Sequence, residues 1–367
     1  MAPTDPPPFS AAALATRLPE FLTPPSLLTE RLQIARQVAD QSSRKDKVVA
    51  AIVVGSTAFE RCSATADLDL ILITPSSNHS TSFETQIVSN VRVDVERITS
   101  AEAFAKTGSD GWIWELREAA RIGCGVPVYD PTGFATQLSR RALALRPRPA
   151  EVEATLRDVY SVLARIGAER NDLSWCEDAL RGCLDNLSML ALLAQPRRYQ
   201  KAKWVLADLL HAGQERLVDA MISAYRIESD AEASARAATA AVRTLVETVH
   251  QECGFPSHEA LLRMGYAPAF AEASYVSRTL ADAEDLVLVG RNTEAQYVAK
   301  FAARLAIGQL NSPTLPGATM SRFRTQGHPI QSHYRAIFRS GAEADFERIL
   351  PIVLQESEER GRSIGVP

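Results

Sequence analysis

Two aspartates separated by one leucine, Asp67-Leu68-Asp69, open a run to Ile73 that is otherwise apolar. In an extended chain side chains alternate between faces, so both carboxylates point the same way, on the face that continues with Ile71 and Ile73. Ionised carboxylates crowded at the edge of a core repel each other and lose hydration, so one takes up a proton unless a cation sits between them. Mg2+ suits such a pair, because it is a hard ion that prefers oxygen ligands and keeps positions for phosphate oxygens. The plain alternative is an edge whose acids simply face water. A third acid falls in Val91-Arg92-Val93-Asp94-Val95-Glu96, where strict alternation sets Asp94 with Arg92 and Glu96 opposite the three valines. Asp94 there can complete a metal site or accept a proton from a hydroxyl, whereas Glu96 reads as part of a solvated face.

Ahead of the acid pair lies Val53-Val54-Gly55-Ser56-Thr57. Glycine directly after a buried strand lets the backbone turn sharply and approach a ligand closely. If a helix starts there, its free amides and the Ser56 hydroxyl can hold a phosphate. Gly-Ser alone is an ordinary loop, and it is the acids that follow which give it weight.

The elements that must carry these residues are visible in the hydrophobic pattern. Leu27, Leu28, Leu32, Ala35 and Val38 repeat at helical spacing. Val48–Val54 and Leu68–Ile73 read as strands buried on both faces, and Val91–Glu96 as a strand with one polar face. Trp112–Ile122 is helical in pattern, with the two tryptophans more suited to packing than to stacking on a base. Val126–Tyr129 reads as a short strand closed by Asp130-Pro131-Thr132-Gly133. From about residue 150 the texture changes to long Ala/Leu-rich helices, starting with the stripe Val152, Leu156, Val159, Leu163 and Ile166. The pattern predicts helices over 173–194, 203–211, 215–225, 231–250 and 293–310, with weaker ones over 330–338 and 342–360. The resulting expectation is an α/β (α+β) N-terminal domain with a mixed sheet over 25–145 and an all-α helical bundle over 146–312. A Pro-rich, disordered or loosely packed leader over 1–24 precedes them, and a helical extension over 313–367 follows.

Gly55-Ser56, the acid-hydrophobic-acid Asp67-Leu68-Asp69 and the later Val93-Asp94-Val95, in that order, resemble the DNA polymerase beta-like nucleotidyltransferase superfamily. The resemblance covers roughly residues 30–135 and is nearest to small-molecule, aminoglycoside-type members with a C-terminal helical domain. Many relatives have Arg-Gly where this chain has Phe59-Glu60, and Ser where it has Ala66. The resemblance implies that Asp67, Asp69 and Asp94 hold Mg2+, as two ions, and are the catalytic acids, and that Gly55 and Ser56 hold the phosphates of an NTP. It also points to Pro196-Arg197-Arg198-Tyr199-Gln200-Lys201-Ala202-Lys203-Trp204, whose Lys201 and Lys203 look like triphosphate contacts. On a regular helix Lys203 lies nearly opposite Lys201, so both reach phosphate only if the backbone is irregular near Pro196. The same segment also reads as a solvated helix start with Trp204 in the core. The implied reaction transfers NMP from an NTP to a hydroxyl, or a phosphate, of a small acceptor, releasing pyrophosphate.

Composition bounds the alternatives. The chain has 367 residues, 46% hydrophobic and 23% charged, with a formal net charge of -4. That balance gives no general attraction to nucleic acid or anionic lipid. No apolar run approaches the roughly 20 residues of a membrane span, and the start lacks a signal-peptide pattern, so a cytoplasmic protein is expected. The five cysteines form no CxxC pair, and Cys176 and Cys183 read as buried thiols. Glu177, Asp178 and Asp185 read as surface charge on the first long helices, or as groups approaching the acceptor. His328 and His333 suggest no role. The other functions left open are a toxin-like enzyme acting on tRNA or protein, and an inactive nucleotidyltransferase-like module that binds without chemistry.

Overall fold

A computed structural model gives the fold and describes residues 9–75, 82–108, 113–168, 173–193, 195, 201–227, 229–253, 274–310, 329–338 and 343–363. The protein is α+β, with a five-stranded mixed sheet and many helices. It divides into two compact units. One comprises Arg17–Val152 and Leu190–Gln200 and contains the sheet; the other comprises Met1–Thr16, Glu153–Met189 and Lys201–Pro367 and is helical.

The helix α1 (Ala11–Arg17) belongs to the helical unit up to Thr16. Helix α2 (Pro25–Asp46) then leads into the sheet unit's first strand, starting at a proline that needs no amide partner and ending where Lys47 turns left-handed. The strands are β1 (Ala50–Val54), β2 (Leu68–Thr74), β3 (Ser82–Val88), β4 (Val91–Thr99) and β5 (Val126–Tyr129), in the order β3-β4-β2-β1-β5. Only β2 and β4 run parallel; β1 pairs antiparallel with β2 and β5, and β3 with β4. A four-residue helix, α3 (Gly55–Ala58), follows β1 directly. Helices α4 (Ser100–Lys106), α5 (Ile113–Gly123) and α6 (Phe134–Ala144) complete the unit.

The two faces of the sheet explain the continuous apolar runs. Ala51, Val53, Leu68, Leu70, Leu72, Val93 and Val95 pack on Ile34, Ala35, Val38 and Ala39 of α2. Ala50, Ile52, Val54, Ile71, Ile73 and Ile98 pack on Ala103, Ile122, Ala135 and Leu138 of α4, α5 and α6. A strand covered on both faces must be apolar at every position, and each large side chain so buried contributes about 1.5–3 kcal/mol. Asp67 and Asp69 interrupt that rule at the head of β2.

In the helical unit, α7 (Pro149–Ala168), from Glu153 on, and α8 (Leu173–Leu193), as far as Met189, precede a 3-10 turn at Ala202–Trp204. After it come α9 (Val205–His211), α10 (Glu215–Ala224), α11 (Glu232–Cys253), α12 (Ser274–Leu288), α13 (Asn292–Leu310), α14 (Pro329–Phe338) and α15 (Glu343–Ser363). Helix α11 packs on α12, α13 and α14, and α15 packs on α10. The C-terminal helices are thus built into the helical unit.

Three expectations change. The leader is folded from Ala11: Leu14 is buried, the Ala11 amide donates to Asp219 Oδ1 at 2.6 Å, and Thr23 is buried against Cys62. Strand β3 was not expected, although Ser89 and Asn90, both at positive φ, close the two-residue hairpin between Val88 and Val91. Helix α12 was also missed. Among the described residues no helix is long and apolar enough to cross a membrane.

Candidate functional site

The strand register assembles the acids. Asp69 pairs with Val54 of β1 on one side and with Asp94 of β4 on the other. Paired residues of adjacent strands project to the same face, so Asp69 and Asp94 lie side by side, with Asp67 two positions earlier on that face. The three carboxylates each present one oxygen within 4.8 Å of the other two. Asp94 is buried, whereas Asp67 and Asp69 are accessible to solvent. The acids lie on the α4–α6 side of the sheet, beyond the point where Ile71 and Ile73 are covered.

Gly55 is needed at the turn for two independent reasons. Its φ is +67°, a conformation costly for other residues. A Cβ there would also overlap Asp69 Oδ2. The missing side chain therefore brings the start of α3 against the Asp69 carboxylate. No side chain caps this short helix. The loop after it is fixed from outside: the Cys62 amide donates to Thr23 Oγ1 at 2.8 Å, the Thr23 amide to the Glu60 carbonyl at 2.8 Å, and Arg31 Nη2 to the Ala64 carbonyl at 2.7 Å. Arg61 donates its amide to the Ser56 carbonyl at 2.8 Å. This strapping holds the glycine turn and the acid pair in a fixed relation.

Cations also enter the site, which the sequence reading did not assign. Arg92 forks onto Asp94, with Nε 3.0 Å from Oδ1 and Nη2 3.1 Å from Oδ2, and Thr85 of β3 donates to Oδ1 at 2.7 Å. Hydrogen bonding and charge from Asp94, helped by Asp67 and Asp69, hold the Arg92 guanidinium pKa above its ordinary value. A carboxylate offers about four lone-pair sites, so three donors leave Asp94 one for a further partner. Glu96, one step along the face, is not free surface charge: Arg121 Nη1 lies at 2.7 Å and Lys106 Nζ at 3.5 Å. Burial pushes its carboxyl up, but Arg121 and Lys106 outweigh that and the net direction is down. Arg92 was legible from its two-residue spacing to Asp94; Thr85 was not, because β3 itself went unrecognised.

The donor set is three carboxylate oxygens with no nitrogen or sulfur, which fits a hard cation such as Mg2+ rather than zinc or copper. The site combines clustered negative charge, a backbone turn without a side chain, and access for solvent.

Of the remaining candidates, Lys201, Lys203, Glu177, Asp178 and Asp185 belong to the helical unit. Lys201 has extended backbone before the 3-10 turn, so the segment is not a regular helix there. Lys203 reaches Asp282 at 2.6 Å, and Trp204 is buried in the core. Arg197, Arg198, Tyr199, Trp112 and His328 lie outside the described residues, as does the Trp114 side chain. Glu177, Asp178 and Asp185 are not surface charge. Glu177 meets Arg181 and Arg226, both at 3.3 Å, while Arg304 bridges Asp178 and Asp185. Tyr225 donates to Asp185 and Tyr334 to Asp178.

The chain matches no family model and no curated protein. A crystal structure of a nucleotidyltransferase-like protein from Exiguobacterium sibiricum 255-15 is similar over 90% of this chain and 91% of that chain, at a TM-score of 0.31 and 12% identity. So loose a likeness decides neither fold nor activity.

Proposed function

We propose that the protein is a Mg2+-dependent nucleotidyltransferase that moves NMP from an NTP to a hydroxyl of a small acceptor. The observation that carries the proposal is the convergence of Asp67, Asp69 and Asp94 on one face, with Gly55 closed against Asp69. Bound Mg2+, as one or two ions, would supply charge to stabilise the attacking and leaving oxygens of an in-line displacement. Asp67 and Asp69 would hold it from β2 and Asp94 from β4. Arg92 and Thr85 keep the Asp94 carboxylate oriented before substrate arrives. The Gly55-Ser56 turn admits the terminal phosphates close to its backbone. In the transfer, a bond forms between the acceptor oxygen and the α-phosphorus. The bond from that phosphorus to the bridging oxygen breaks, pyrophosphate leaves, and the hydroxyl proton passes to a carboxylate or to water. A net charge of -4 supports a small acceptor over a polyanionic one.

The test is pyrophosphate release from each of the four NTPs with Mg2+, against a panel of hydroxylated metabolites. Release that needs both Mg2+ and an acceptor, and disappears in Asp67→Asn, supports the proposal. Absence of release together with absence of Mg2+-NTP binding by calorimetry defeats it.

A further inference from the structure

Strand β3 leaves Phe83 and Ile87 exposed, while Val88 at its end packs on the α2 side of the sheet. Phe83, Thr85 and Ile87 pair with Glu96, Asp94 and Arg92 of β4, so all three lie on the face of the acids. Thr85, in the middle, donates to Asp94. Phe83 is 65% exposed and Ile87 68%. An edge strand normally turns its apolar side toward the core and shows polar groups to water. Here the reverse holds: Glu84, on the opposite face, is tied to Arg97 at 2.9 Å, while the two large apolar side chains are left bare beside the acids.

The strand order says which substrate meets them. Across the acid face the sequence is Gly55 after β1, Asp69 on β2, Asp94 on β4 and Thr85 on β3. Strands lie about 4.8 Å apart, so the glycine turn and β3 flank the acids from opposite sides. In an in-line displacement the leaving and attacking oxygens also lie on opposite sides of the phosphorus. If the pyrophosphate leaves over Gly55-Ser56, the acceptor hydroxyl arrives from the β3 side.

We propose that Phe83 and Ile87 form the acceptor platform, and that the acceptor is a ring compound carrying its reacting hydroxyl beside a flat hydrocarbon or aromatic face. This rests on the nucleotidyltransferase proposal. Phe83 and Ile87 stand two residues either side of Thr85, each about 7 Å from it along the strand, so one six-membered ring fits beside Thr85 against either of them. Offset stacking on Phe83, or packing on Ile87, orients the ring, and the residue that holds Asp94 sits between the two positions.

The experiment compares two acceptors that share one reacting diol, glycerol and 3-phenylpropane-1,2-diol, by pyrophosphate release with Mg2+ and each NTP. The phenyl compound should show a kcat/KM higher by about tenfold, mostly through KM. The double substitution Phe83→Ser with Ile87→Ser should bring the ratio close to one while calorimetry shows Mg2+-NTP binding retained, and Phe83→Tyr should keep the preference. Both positions are exposed, so the fold tolerates the change. Equal use of the two diols by the unaltered protein overturns the inference, as does a preference that survives the double substitution. A dimer in sedimentation that becomes monomeric on substitution also overturns it, because the face would then serve a second copy. Release with neither diol, while Mg2+-NTP still binds, overturns the inference and leaves the donor site standing; loss of both defeats the nucleotidyltransferase proposal as well.

Discussion

Among the described residues, two groups of closely spaced aspartates are built in opposite ways. Asp178 and Asp185 in the helical unit share Arg304, with Tyr225 and Tyr334 donating to them. Burial pushes Asp178 up, but Arg304 and Arg181 outweigh it and its direction is down; burial leaves Asp185 raised despite Arg304. That group is satisfied from within the protein. Asp67, Asp69 and Asp94 gather three carboxylates around Arg92, whose side chain is 57% exposed, and against a glycine that leaves room. A structural cluster spends side chains on neutralising its charge, whereas a binding cluster keeps unbalanced charge facing solvent and lets a ligand complete it.

The largest effect should come from Asp69→Asn. It removes the carboxylate charge that the proposed function gives to metal binding, without removing volume, so turnover should fall by about 100–1000-fold or more, as for loss of one strong electrostatic contact in a transition state. The unaltered protein should gain thermal stability on adding Mg2+ by mass action, and the variant should lose that gain. Unfolding without Mg2+ should move by less than about 1 kcal/mol, since relief of like-charge repulsion opposes any lost contact. Activity and Mg2+ response both retained would erase the difference between the two clusters.

Arg304→Met is the mirror experiment. Removing one partner of a buried ion pair costs about 3–5 kcal/mol, and the side-chain exposures of 17% for Arg304 and 17% and 36% for its two aspartates place this case toward the lower end. Urea unfolding should show that loss, with no recovery on adding Mg2+. Adding Asp185→Asn to the variant should return part of it, because the uncompensated charge is then gone.

The contrast also marks what the sequence reveals and what it hides. Asp67, Asp69 and Asp94 were legible because alternation in a strand fixes the face, and the register in β2 and β4 then needed only a parallel pairing to unite them. Most helices of the second unit were legible for the same reason of period, α1 and α12 excepted. The role of Asp178 and Asp185 was not, because their partner Arg304 is 126 and 119 residues away along the chain. Strand β3 was hidden by its composition: Phe83, Thr85 and Ile87 alternate with polar residues, but no buried face confirms the pattern. The folded leader escaped notice because Ala and Leu beside prolines carry a weak local signal, and its anchors, Asp219 and Cys62, are supplied by other elements.

Gly55→Ala should produce a smaller but diagnostic change. Left-handed backbone in a residue with Cβ costs roughly 1–2 kcal/mol, and the added carbon must displace Asp69 Oδ2. Urea unfolding should register the first cost and a Mg2+ titration followed by thermal unfolding the second. A variant that loses stability yet keeps its Mg2+ response would show that the glycine serves the turn alone.

The smallest effect falls on Glu96, which stands one step along the face from Asp94 yet is neutralised like the helical cluster. Its folded-state pKa is lowered, so its contribution to stability is fully present above the ordinary glutamate value of about 4.3 and is lost as pH falls through the lower folded value. In Glu96→Gln the difference from the unaltered protein should be greatest near neutral pH and shrink below about pH 4. Its size at neutral pH should be under about 1 kcal/mol, because Arg121 and Lys106 keep 26% and 29% of their side-chain exposure. Urea midpoints taken from pH 7 to pH 3 would read this directly. A difference that grows toward low pH would mean that Glu96 is strained by its neighbours, and would move it from the neutralised class into the one that awaits a ligand.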